Sequence, residues 1–237
     1  MKTTRILGLM GATALMAVVF AACGGGSSNA EAEAVSLPTD GILGELPKVV
    51  AEYEATEVAA TTKYEELKQS DPEKAREFWK DYVSQGNTTK FKKETLPAVE
   101  KTLDGKEIPT EVAEGVPLSL QKAFTLNDKR DAYASCVFTA GVDNKTPVMN
   151  YAVVAYDADG TAINTVKGVS NFASIYPIKE GKEVNFRFFI SVNDYDAALW
   201  ARLAKMVIMD STTDVFKQAE EQIKANKEAF KNKGKEQ

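Results

Sequence analysis

The chain has 237 residues, a formal net charge of −5, two cysteines and no histidine. The acidic balance argues against nucleic acid and anionic lipid surfaces as partners. The missing histidine removes the Ser-His-Asp and Cys-His nucleophile arrangements and the usual zinc and copper ligand sets, and no H-E-x-x-H, C-x-x-C or P-loop spacing occurs.

Lys2 and Arg5 form a short basic start, Ile6 to Ala22 carry no charge, and Ala21-Ala22-Cys23 runs into Gly24-Gly25-Gly26. Basic start, apolar middle and small residues at the cut predict an export signal over residues 1–22, since the apolar run falls short of the ~20 residues a spanning helix needs. Phe20-Ala21-Ala22-Cys23 resembles the lipobox of bacterial lipoproteins, with Phe20 where that pattern usually has Leu. The resemblance implies cleavage before Cys23, diacylglycerol on its thiol and room for a further acyl chain on its amine, a palmitate-type anchor to a membrane outside the cytoplasm. Gly24 is not an acidic retention residue, so the outer membrane is the expected address in a Gram-negative cell. Losing Lys2 and Arg5 takes the net charge from −5 to −7. With Cys23 acylated, Cys136 has no partner within the chain. Its run Ala134-Ser135-Cys136-Val137-Phe138 reads as a strand that buries the thiol as a small hydrophobe.

Residues 23–46 read as the acylated Cys and a flexible tether, because Gly, Ser and alternating Glu and Ala set up no apolar period. Residues 47–105 read as helices. Val50, Tyr53, Ala60, Tyr64 and Leu67 keep a stripe interrupted by Glu57. Ser70-Asp71-Pro72-Glu73 offers a helix start, Ala75, Phe78, Trp79, Tyr82 and Val83 share one face, and Gly86 closes it. A third piece holds Phe91, Leu96, Val99 and Leu103, with Pro97 kinking or starting it. Short turns predict a helical hairpin or three-helix unit.

Over residues 106–211 the period falls from 3.6 to 2 and turn signals recur. The predicted strands are Val116–Leu126, Ala132–Val142, Val148–Asp157, Thr161–Val166, Glu183–Val192 and Ala204–Asp210. Short strands over about 105 residues suggest an immunoglobulin-like antiparallel β-sandwich, so the fold class expected for the whole chain is α+β. A helical turn fits Tyr195 to Leu203. In residues 212–237, Thr212 or Thr213 can cap a helix with a stripe of Phe216, Ile223 and Phe230, expected to lie on the N-terminal helices because one stripe alone is marginal.

Phe138-Thr139-Ala140-Gly141-Val142-Asp143-Asn144, then Tyr151 to Gly160 ending in Tyr156-Asp157-Ala158-Asp159-Gly160, then Ile178-Lys179-Glu180-Gly181-Lys182-Glu183-Val184-Asn185-Phe186 together resemble the immunoglobulin-like domains of bacterial lipoproteins typified by the FxLYD family. That resemblance implies a sandwich and carries no catalytic residues over.

Asp157-Ala158-Asp159-Gly160 is similar to half a calcium loop, but no acidic residue follows in Thr161-Ala162-Ile163-Asn164-Thr165. Asp-Gly is also a hairpin turn, and the turn is the reading we adopt, with no metal site. Glu65-Glu66 and Glu220-Glu221 are sequence neighbours on helices and do not face one another across a pocket. Among the aromatics, Tyr176 and Trp200, near predicted loops, are the candidate ligand-binding residues. The expectation is a non-enzymatic, lipid-anchored envelope protein without a cofactor, binding or scaffolding an envelope protein partner. The alternative is an accessory solute- or glycan-binding lipoprotein of a transport system. A deep pocket at Trp200 or Tyr176 points to the second, and a flat apolar patch on the helices to the first.

Overall fold

Pro47 sits in the first turn of a 25-residue helix, α1 (Leu46–Ser70), where a missing N–H costs nothing. Asp71 ends α1 and starts α2 (Pro72–Ser84): its extended backbone breaks the helix and its side chain accepts from the Lys74 N–H at 3.2 Å. Gly86, at φ 66, takes the left-handed turn after α2. Instead of one further helix, the chain makes a short α3 (Asn87–Lys90), a π-turn over Phe91–Thr95 and α4 (Leu96–Lys101). Pro97 explains the break, because it offers no N–H to the carbonyl four residues back and the backbone widens just before it. These coordinates are a computed structural model, which describes residues 37–140, 148–191 and 196–233.

The strands follow as β1 (Glu107–Ile108), β2 (Thr110–Val112), β3 (Leu118–Leu126), β4 (Asp131–Phe138), β5 (Tyr151–Asp157), β6 (Ala162–Lys167), β7 (Glu183–Phe189) and β8 (Leu203–Asp210). Short helices α5 (Phe172–Ile175) and α6 (Ala197–Ala201) flank β7, and α7 (Asp214–Lys233) ends the described chain. The fold is mixed α+β. One sheet has the order β1-β3-β4-β7, the other β2-β8-β5-β6. All pairings are antiparallel except β2 with β8, which is parallel and registers Thr110 with Met206. The expectation of a wholly antiparallel sandwich is corrected there: Pro109 gives β2 a separate path from β1, and the Pro109 carbonyl accepts from the Met206 N–H at 2.8 Å.

The sheets share one core. β7 contributes Val184, Phe186 and Phe188, β4 contributes Ala132, Ala134, Cys136 and Phe138, and β5 contributes Tyr151, Val153 and Ala155. On β7 the intervening Glu183, Arg187 and Phe189 are exposed, as strict alternation requires. β5 departs from alternation because both of its faces are covered. Ala152 and Val154, with Val207 and Met209 of β8, meet Phe216, Ala219 and Ile223 of α7. The C-terminal helix therefore lies on the outer face of the second sheet and not on the N-terminal helices. The flat row of Ala and Val side chains on β5 accepts the Phe216–Ile223 stripe.

The tether also ends sooner than composition suggested. Leu43 and Leu46 are buried at 2% and 1% exposure in the main core, so the chain is seated on the body before α1 begins. The hydroxyl of Tyr151, in the middle of that core, has no hydrogen-bond partner. Among the described residues, no helix is long and apolar enough to cross a membrane.

Candidate functional site

The acylation candidate Cys23 lies outside the described residues. Trp200 and Tyr176 are not brought together. Tyr176 precedes β7, 44% exposed and edge-on to Phe172 with ring centroids 5.3 Å apart. Trp200 follows β7 and is 4% exposed, its ring edge-on to Phe188 at 6.3 Å. A strand of seven residues, about 23 Å long, separates the two places. The recess at Trp200 is lined by Leu43, Leu46, Val50 and Ile190 and holds about 10 Å³. That is water-sized, against the ~300 Å³ at which small-molecule pockets begin. Trp200 is thus a core side chain that seats the start of α1.

The Asp157–Gly160 loop is a locked turn. Asp157 Oδ1 accepts from the backbone N–H groups of Asp159 and Thr161 at 3.0 and 2.7 Å. Arg202 Nη2 reaches Asp157 Oδ2 at 2.6 Å and Asp159 Oδ2 at 2.7 Å, so a guanidinium stands where a cation would have to sit. Among the described residues no group of three or more acidic, His or Cys side chains converges. Cys136 is fully buried, and desolvation pushes its thiol up to about 12, far from the thiolate a nucleophile needs.

The α1–α2 hairpin is where chemistry and exposure coincide. Only the first turns of α1 and Ala60 are buried, and α2 buries only Ala75. At 1.5 Å per residue α1 is about 37 Å long, so its second half and α2 stand clear of the sheets. Glu57, the break in the apolar stripe, accepts from Tyr82 Oη at 2.7 Å and from Thr88 Oγ1 at 3.2 Å, and Thr88 in turn accepts from Tyr53 Oη at 3.2 Å. Burial, and then Glu57, raise the Tyr82 hydroxyl above its ordinary range. Farther out, the Trp79 ring meets Tyr64 at 5.2 Å and Tyr82 at 5.5 Å. Trp79 is 36% exposed and Val83, one turn on, is 60% exposed, so they make an apolar flank on the projecting hairpin. Nearer the body, Glu54 is pushed up to about 7 by burial and then by the charge of Asp196.

No protein-family model, curated protein or solved structure matches this chain. Residue-level reading missed one further feature, a groove of about 410 Å³ beside the outer edge of β6, along Lys224, Lys227 and Lys231 of α7. The lysine spacing was visible in the sequence. The strand edge beside it was not, because nothing local says which strand ends a sheet.

Proposed function

We propose that this chain is a lipid-anchored, non-enzymatic protein of the bacterial cell envelope, acylated at Cys23 and exposed outside the cytoplasm, which uses its α1–α2 hairpin to dock a protein partner. The observation that carries the reading is the Tyr64–Trp79–Val83 flank, which offers apolar area away from the main body. Aromatic anchors with polar surroundings are what a protein interface concentrates. The water-sized recess at Trp200 favours this over the solute- or glycan-carrier alternative at the residues first singled out. The anchor rests on the residue 1–23 pattern alone. Acylation adds affinity by raising the local concentration of any partner in the same membrane.

In this reading the two sheets form an immunoglobulin-like sandwich in layer architecture, as the resemblance to the FxLYD family implies. Consecutive strands β4 and β5 fall in different sheets, as strands B and C do in the immunoglobulin pattern. The orders β3-β4-β7 and β8-β5-β6 parallel A-B-E and F-C-C′, which supports this reading; the parallel β2 beside β8 is the departure from a wholly antiparallel sandwich.

Two measurements test the proposal. Cells fed a palmitate analogue should label the wild-type chain and leave Cys23→Ala unlabelled. A photo-cross-linking residue at Val83 should give a discrete protein adduct in native membranes, and one at Asp81, exposed on the opposite side of α2, should give none. Label retained by Cys23→Ala sinks the anchor; equal adducts at both positions sink the docking face.

A further inference from the structure

β6 is the last strand of its sheet, and its register shows which backbone groups face outward. The Gly168 N–H donates to the Tyr151 carbonyl at 2.7 Å, which makes Ala152 and Lys167 a pair without mutual bonds. In an antiparallel ladder bonded and non-bonded pairs alternate. Val153 with Val166 and Ala155 with Asn164 therefore exchange bonds, while Val154 with Thr165 does not. The N–H and C=O of Thr165 and Lys167 accordingly point away from β5.

At the other end of β6 this edge is already capped. Gln222 Oε1 accepts from the Ala162 N–H at 2.9 Å and Asn226 Nδ2 donates to the Ala162 carbonyl at 3.4 Å. Near Lys167, by contrast, α7 meets β6 through Glu220, which pairs with Lys167 at 2.9 Å, and through Phe216, whose ring lies under the Lys167 ammonium. α7 thus crosses β6 obliquely and overhangs the sheet, since among the described residues past Ile223 none is fully buried. The groove of about 410 Å³ lies under this overhang, between Thr165 and the α7 face bearing Ile223, Lys224, Lys227 and Lys231.

Charge chooses the occupant. Residues 224–237 hold five lysines and two glutamates in a chain that is acidic overall. In the groove Glu220 is neutralised by Lys167, and Lys224 and Lys231 line it beside Glu228. We infer that this groove binds an extended acidic peptide segment, which adds a strand to β6 at Thr165 and Lys167 while its carboxylates meet Lys224 and Lys231. Main-chain pairing supplies affinity and the flanking side chains select sequence. This interface is independent of the hairpin and of the anchor.

The test uses the full-length chain in detergent and a fluorescent octapeptide of alternating Asp and Val, read by anisotropy. The wild type binds it, and binding weakens as salt rises. The same peptide with alternate backbone nitrogens methylated keeps its charges and loses its strand donors; it should bind at least tenfold more weakly. The Asn-Val octapeptide and the Lys224→Glu/Lys231→Glu variant should each show a loss of similar size. Circular dichroism of the variant checks that these exposed positions leave the fold unchanged. No binding of the Asp-Val peptide overturns the inference, as does equal binding of the methylated form, which would mean charge attraction alone. Equal binding by the lysine variant overturns the assigned contacts. Because the methylated peptide is read on unaltered protein, that arm holds whatever the variant does.

Discussion

Glu54 carries the clearest pH dependence. Its folded value of about 7 lies above the ordinary carboxyl value of 4.5, so the folded state holds the proton more tightly than the unfolded one. The associated stability is fully present below about pH 4.5 and is lost as pH rises through about 7. Denaturant titrations at pH 5 and pH 8 should show the wild type losing about 1 kcal/mol from this half-buried group, solvent screening having reduced the full effect, and Glu54→Gln should remove that part of the fall. An identical pH slope in the variant rejects the assignment. A second residue-scale test concerns the locked turn. Asp157→Ala strips two backbone donors of their acceptor and removes one of the two carboxylates that pair with Arg202, which keeps Asp159; it should cost about 2–3 kcal/mol in urea unfolding. Calcium should not shift the wild-type midpoint. Glu57 illustrates what the sequence could and could not convey: its place in an apolar stripe marked it as odd, but Tyr82 and Thr88, the residues that make it reasonable, are 25 and 31 positions away.

Elements with a full local period were readable and short ones were not. The alternation of Val184, Phe186 and Phe188 gave β7 its face, and the six expected strands each coincide with an observed one within a few residues where the chain is described. β1 and β2, of two and three residues, hold too few side chains for a period to exist; they owe their form to β3 and β8. The placement of α7 failed for a related reason. A stripe of Phe216 and Ile223 announces a buried face without naming its mate, and the mate is the second face of β5, hidden in a continuous apolar run. Phe216→Ala should therefore destabilise the chain by about 3–5 kcal/mol, and doubling it with Val154→Ala should fall short of additivity because the two share one cluster. Leu43→Ala should cost about 2–4 kcal/mol; an effect under ~0.5 kcal/mol, as for an exposed tether residue, would contradict its burial.

At the scale of the molecule α6 and the start of α1 meet at the end of the sheets marked by Ile190 and Trp200, and the exposed aromatics Phe172 and Tyr176 mark the other end. The first described residues join the helical end through Leu43 and Leu46. The placement of β8 has its own consequence. This strand, near the C-terminus, is inserted between β2 and β5, and the helix after it covers their outer surface. A polypeptide made from its first residue onward has that slot empty and its greasy flank bare until the final few dozen residues arrive. Completion of the fold is thus postponed to the end of synthesis, and a stop codon at Ser211 should yield an oily, dye-binding, protease-labile remnant in place of a slightly shorter protein.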